Sequence, residues 1–92
     1  MLRTMILDSP WEQKWVLHGR VAGPWAADLK AHWEQTSGAR RGRRCVVDLE
    51  DVTFIDSKGE DVLFEMAREG AELVSSRAYM KYILADLTPV RH

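Results

Sequence analysis

The 92-residue chain has one cysteine, three prolines and no long apolar run. A single thiol, Cys45, excludes an internal disulfide and a multi-thiolate metal site. A bilayer span needs about 20 consecutive apolar residues, and no stretch comes near that length. Met1-Leu2-Arg3-Thr4-Met5 reaches Asp8 too early to hold the apolar centre of a signal peptide. Repeats, low-complexity tracts and Gly/Ser-rich linkers are lacking too, so residues 1–92 read as a single domain. A chain this short hides roughly 60–65% of the surface its unfolded form exposes, enough for one core and not two. A reduced, cytoplasmic protein is the expectation.

Charge of one sign is also missing: 13 Lys and Arg stand against 14 Asp and Glu, a formal −1. That balance lacks the basic footprint of a nucleic-acid binder. Its distribution is uneven. From Asp48 to Glu72 there are nine acids and two bases, a local −7, and the remainder carries +6. An acidic segment in an otherwise basic chain suits a protein partner.

Leu2 to Leu7 reads as a strand closed by Asp8-Ser9-Pro10, a turn signal. Lys14 to Gly19 reads as a second strand, with Trp15 and Leu17 on one side and Val16 and His18 on the other. Ala22-Gly23-Pro24 opens a helix whose apolar stripe runs through Ala22, Trp25, Ala26, Leu29 and Trp33, and Ser37-Gly38 stops it. Arg40-Arg41-Gly42-Arg43-Arg44 reads as a solvated connection. Cys45-Val46-Val47-Asp48-Leu49 is too continuously apolar for a half-exposed strand and predicts a central one covered on both faces.

Ser57-Lys58-Gly59-Glu60 has the form of a capping box, with Ser57 as N-cap and Glu60 at the third helical position. Val62, Leu63, Met66 and Ala67 form the buried stripe of that helix, and Gly70 ends it. Ala71–Ser75 is short enough for a strand. Met80, Ile83, Leu84 and Leu87 predict a third helix, with Ser76 as its cap and Thr88-Pro89 as its end. The order ββαβαβα implies α/β architecture: a mixed four-stranded sheet, right-handed crossovers and helices packed mainly on one face.

The segment Val47-Asp48-Leu49-Glu50-Asp51-Val52-Thr53-Phe54-Ile55-Asp56-Ser57-Lys58-Gly59 resembles the signature of the STAS domain of bacterial anti-sigma factor antagonists. There a buried strand ending in Asp-Leu passes through a short loop into Asp-Ser-Ser/Thr-Gly at a helix start. His18-Gly19-Arg20-Val21 resembles the family's second strand, and Arg68 to Val74 its passage into the next one. The resemblance implies a partner-switching module, not a catalyst. Its partner would be an anti-sigma factor that is also a kinase, met by Asp56, Ser57, Lys58, Gly59, Glu60 and Asp61. Two departures stand out. The family's phosphoacceptor is the second residue after the Asp, where this chain has Lys58, so the ordinary phospho-switch is expected to be absent. Ser57 remains as an alternative acceptor, its hydroxyl expected to cap the helix. The family also continues past the third helix, so the C-terminally short chain is expected to leave surface for a homodimer or a docked partner.

Other constellations are weaker. His18, His32 and His92 have no spacing that suits a metal site. Cys45 reads as a small core residue, not an activated thiolate. Asp48 stands where open α/β sheets bind ligands, beyond a strand end, but reads as an acceptor for loop amides. Gly19-Arg20-Val21-Ala22-Gly23 lacks the Lys-Ser/Thr of a phosphate loop. The arginines at 40–44 have no interleaved aromatics for base stacking. Trp15, Trp25 and Trp33 read as core, and Trp11 as a partner contact or a cover over the sheet edge. The sequence therefore predicts a non-catalytic interaction module with no cofactor, no metal and no membrane contact. The alternative is a small-ligand or nucleotide sensor built on the same strand ends.

Overall fold

The computed structural model describes residues 1–36, 38 and 42–76, which form four strands and two helices. In chain order these are β1 (Leu2–Asp8), β2 (Glu12–Val21), α1 (Gly23–Gln35), β3 (Arg44–Ile55), α2 (Ser57–Arg68) and β4 (Glu72–Val74). The sheet order is β1-β2-β3-β4. β1 and β2 are antiparallel, and β2–β3 and β3–β4 are parallel. Both crossovers step the same way across the sheet, so right-handedness puts α1 and α2 on the same face. This is the mixed four-stranded α/β arrangement that the sequence predicts.

The β1–β2 turn is closed by Ser9. Its N–H donates to the Glu12 carbonyl at 2.8 Å, and its hydroxyl accepts the Glu12 N–H at 3.1 Å. Trp15 and Leu17 are fully buried beneath the helices, while Val16 and His18 stay half-exposed on the other face. Trp15 meets Trp33 of α1 edge-on at 5.4 Å, a geometry that suits the ring quadrupoles. Its indole N–H donates to Gln13, which in turn donates to Asp8. Leu29, Val47, Leu49, Val52, Leu63 and Met66 belong to the same core. The Trp33 indole N–H donates to Glu69 at 3.2 Å and ties α1 to the end of α2.

Four expectations need correction. Glu50 to Ile55 is not a loop: β3 continues through it for 12 residues, accommodated against β2 by register shifts between Val16 and His18 and between Gly19 and Arg20. Asp48 therefore lies within the strand and not at its end. Trp25 is half-buried at the rim of the α1 stripe. Ala71 belongs to the end of α2 and not to β4: its N–H bonds the Met66 carbonyl while Gly70 N–H bonds Ala67, with Gly70 at φ 110°, a Schellman closure.

Arg44 is the first residue of β3, and Arg43 hydrogen-bonds Asp8 and the Ser9 carbonyl, so that half of the arginine-rich connection is tied to the sheet. Arg40, Arg41 and the third helix expected around Met80–Leu87 lie outside the described residues. No helix among the described residues is long and apolar enough to cross a membrane.

Candidate functional site

The candidate site begins where three chain segments meet. The end of β2, the start of α1 and the start of α2 converge on Asp56. Its N–H donates to the Val21 carbonyl at 3.3 Å. One carboxylate oxygen accepts the Gly59 N–H at 2.7 Å and the other accepts the Gly23 N–H at 2.9 Å. Asp56, with extended backbone, is thus the N-cap of α2. The capping expectation placed on Ser57 is overturned: Ser57 is the first helical residue, Gly59 the third, and Glu60 lies one step beyond the capping-box position. Two backbone donors favour the ionised carboxylate, so the Gly59 and then the Gly23 N–H hold Asp56 below its usual range.

Gly59 has a packing reason. A Cβ there would lie 1.8 Å from the Val21 carbonyl oxygen, so only glycine lets the first turn of α2 approach the end of β2. Gly23, at φ 53°, takes the left-handed turn that aims its N–H at Asp56.

The six sequence-predicted residues therefore divide. Gly59 is buried and Asp56 half-buried, both engaged in the junction, while Ser57, Lys58, Glu60 and Asp61 are exposed around the first turn and a half of α2. The Ser57 hydroxyl, released from capping, makes no hydrogen bond among the described residues. Glu60 and Asp61 set negative charge at the positive end of the helix dipole, and Lys58 opposes that trend.

One neighbour was missed by the sequence reading. Phe64 stands seven residues after Ser57 and three after Asp61, on the same helix face, and is 41% exposed. It borders an open groove of about 240 Å³ lined by Lys30, Asp61, Val62, Phe64 and Glu65. The signal available was its place outside the buried stripe of Val62, Leu63 and Met66.

Away from this edge, Asp48 accepts the Glu50 N–H at 2.9 Å and faces Lys14 at 3.6 Å. Cys45 is buried. Trp11 is 77% exposed at the β1–β2 turn, at the opposite end of β3 from the α2 N-terminus. The Ser76 hydroxyl, expected to cap a following helix, donates to Glu50 at 2.8 Å. Among the described residues no cluster of His, Cys, Asp or Glu is arranged to hold a metal ion.

The mixed four-stranded sheet with its two helices superposes on two solved structures. An anti-sigma factor antagonist from Mycobacterium paratuberculosis superposes with a TM-score of 0.77, covering 95% of this chain and 80% of that one at 18% identity. The anti-sigma factor antagonist SpoIIAA in its unphosphorylated form gives 0.71, over 90% and 82%, at 14% identity. The chain has the STAS fold. No family model matches the sequence, and no curated protein matches it. The STAS likeness is thus one of backbone architecture.

Proposed function

We propose that the chain is a non-catalytic, cytoplasmic interaction module of the anti-sigma factor antagonist kind, acting in signalling or transcription regulation through the first turns of α2. The observation that carries this reading is the division of the site. Asp56 and Gly59 lock the turn from within, and that leaves Ser57, Lys58, Glu60 and Asp61 on a preformed surface. A preformed surface loses little conformational entropy on binding, so more of its contact energy reaches affinity. Its partner is an anti-sigma factor or a kinase-like regulator.

The reading includes the loss of the ordinary serine switch. Lysine forms no stable phosphoester under such a kinase, and Lys58 holds the position after Ser57. A phosphate there would have added about −1.5 to −2 charge beside Glu60 and Asp61. The native contact surface instead keeps a fixed cation next to two acids.

Recovery of tagged chain from its native cells tests the reading. The expected result is co-purification of an anti-sigma factor or kinase-like regulator, lost in Asp61→Arg, with no stoichiometric phosphate on Ser57. With the recovered kinase and ATP, Lys58→Ser gains phosphate at position 58 and the native chain does not. Recovery unaffected by Asp61→Arg overturns the contact surface, and full phosphorylation of Ser57 in the native chain overturns the absent switch.

A further inference from the structure

Among the described residues β1 forms one edge of the sheet, with β2 its sole strand neighbour. Its pairing runs unbroken from Leu2↔Gly19 to Asp8↔Gln13. The bonds from Arg20 N–H to the Met1 carbonyl and from Ser9 N–H to the Glu12 carbonyl fix the phase of this ladder. Bonded and non-bonded pairs alternate along an antiparallel pair. The odd-numbered residues therefore bond β2, and Leu2, Thr4, Ile6 and Asp8 turn their backbone N–H and C=O groups to the open edge. Those groups have no hydrogen-bond partner among the described residues.

Sheet edges are ordinarily blunted by proline, a bulge, charge or short length. β1 has seven residues, no proline or glycine, no register shift and no charge between Arg3 and Asp8. The opposite edge, β4, has three residues. On the face of β1 away from the helices, Met5 and Leu7 are 49% and 51% exposed.

We propose that β1 pairs antiparallel with β1 of a second copy of this chain, about a two-fold axis through Met5, joining two sheets into one of eight strands. An axis normal to the sheet keeps each face continuous, so facing residues share parity. Centring on Met5 sets Thr4 opposite Ile6 and Leu2 opposite Asp8 at bonded positions, so all four outward residues of each strand gain a partner. At non-bonded positions Met5 faces Met5 and Leu7 faces Arg3, whose aliphatic stem covers it. The register uses the whole strand, covers both exposed apolar side chains and opposes no like charges. That self-complementarity favours a second copy over an unrelated strand.

Light scattering of the full chain over a wide concentration range tests the pairing. The mass is expected to rise from that of one 10.6 kDa chain to double. Thr4→Pro removes an outward N–H and leaves the bonds to β2 in place. It is expected to keep the native circular dichroism and to lose the doubling. Under mild oxidation, Met5→Cys is expected to cross-link between copies and Leu7→Cys is not, because only position 5 meets itself. A native chain that holds the monomer mass throughout overturns the proposal and leaves the edge to an extended segment of a different protein. A folded Thr4→Pro that still doubles, or equal cross-linking at positions 5 and 7, overturns this register.

Discussion

Asp56 carries more of this structure than its single charge suggests, because its two oxygens tie together segments 33 residues apart. The consequence for pH has a definite sign. A carboxylate held below its usual range in the folded state adds stability above its unfolded pKa, and that contribution disappears as pH falls through the folded value. Asparagine can still cap a helix, but its amide nitrogen cannot accept the second N–H. Asp56→Asn is therefore expected to lower the melting temperature at pH 7, with the gap to the native chain closing below about pH 4 as the native carboxyl protonates. Thermal unfolding of both chains across that range checks it, and a pH-independent gap would contradict the assignment. Sequence reasoning placed the cap one residue late for an identifiable reason. Ser57 with Glu60 three positions on satisfies the local rule as well as Asp56 does, and the deciding acceptor demand, the Gly23 N–H, is remote in sequence.

At the scale of elements, the hairpin, the covered central strand and the buried stripe of α2 were legible because each follows a short-range period. The full length of β3 was not. Its second half, Glu50 to Ile55, mixes acids with apolar residues, and its strand character comes from the backbone of β2, paired across two register shifts. The two glycines bounding α2 differ in the same way. Gly70 reads as a helix end from the sequence and adopts the left-handed conformation expected there. Gly59 reads only as part of a motif, and the reason for it, the Val21 carbonyl, becomes visible with the packing. Different costs follow. Gly70→Ala is expected to lose about 1–2 kcal/mol from left-handed backbone strain. Gly59→Ala meets backbone that cannot swing aside and is expected to lose more, beyond the roughly 1–3 kcal/mol of an ordinary overpacked site. Urea titrations of the two variants give the order directly, and Gly59→Ala unfolding no more easily than Gly70→Ala would refute the close approach.

Across the whole molecule, the charge segregation of the sequence is partly undone by topology. The parallel alignment of β2 with β3 brings Lys14 to Asp48, and within the basic remainder the hairpin turn brings Asp8 to Arg43. Arg44 reaches Glu72 on β4 at 2.6 Å. The acidic segment thus meets bases through its strands, while the start of α2 keeps Glu60 and Asp61 exposed beside Lys58, which concentrates unspent charge at the proposed contact surface. Exposed pairs of this kind are worth about 0–1 kcal/mol each, so they set where a partner lands more than whether the chain folds. Folding rests instead on the layer between sheet and helices, where Leu49 is fully buried in the central strand. Leu49→Ala is expected to lose about 2–5 kcal/mol, a large share of the roughly 5–15 kcal/mol that domains possess. Lys14→Ala, which breaks the pair with Asp48, is expected to stay within about 1 kcal/mol. Trp15 and Trp33, both buried against that layer, supply the fluorescence to follow urea unfolding of the two variants. Equal losses in the two would mean that the surface pairs, and not the apolar layer, hold the sheet to its helices.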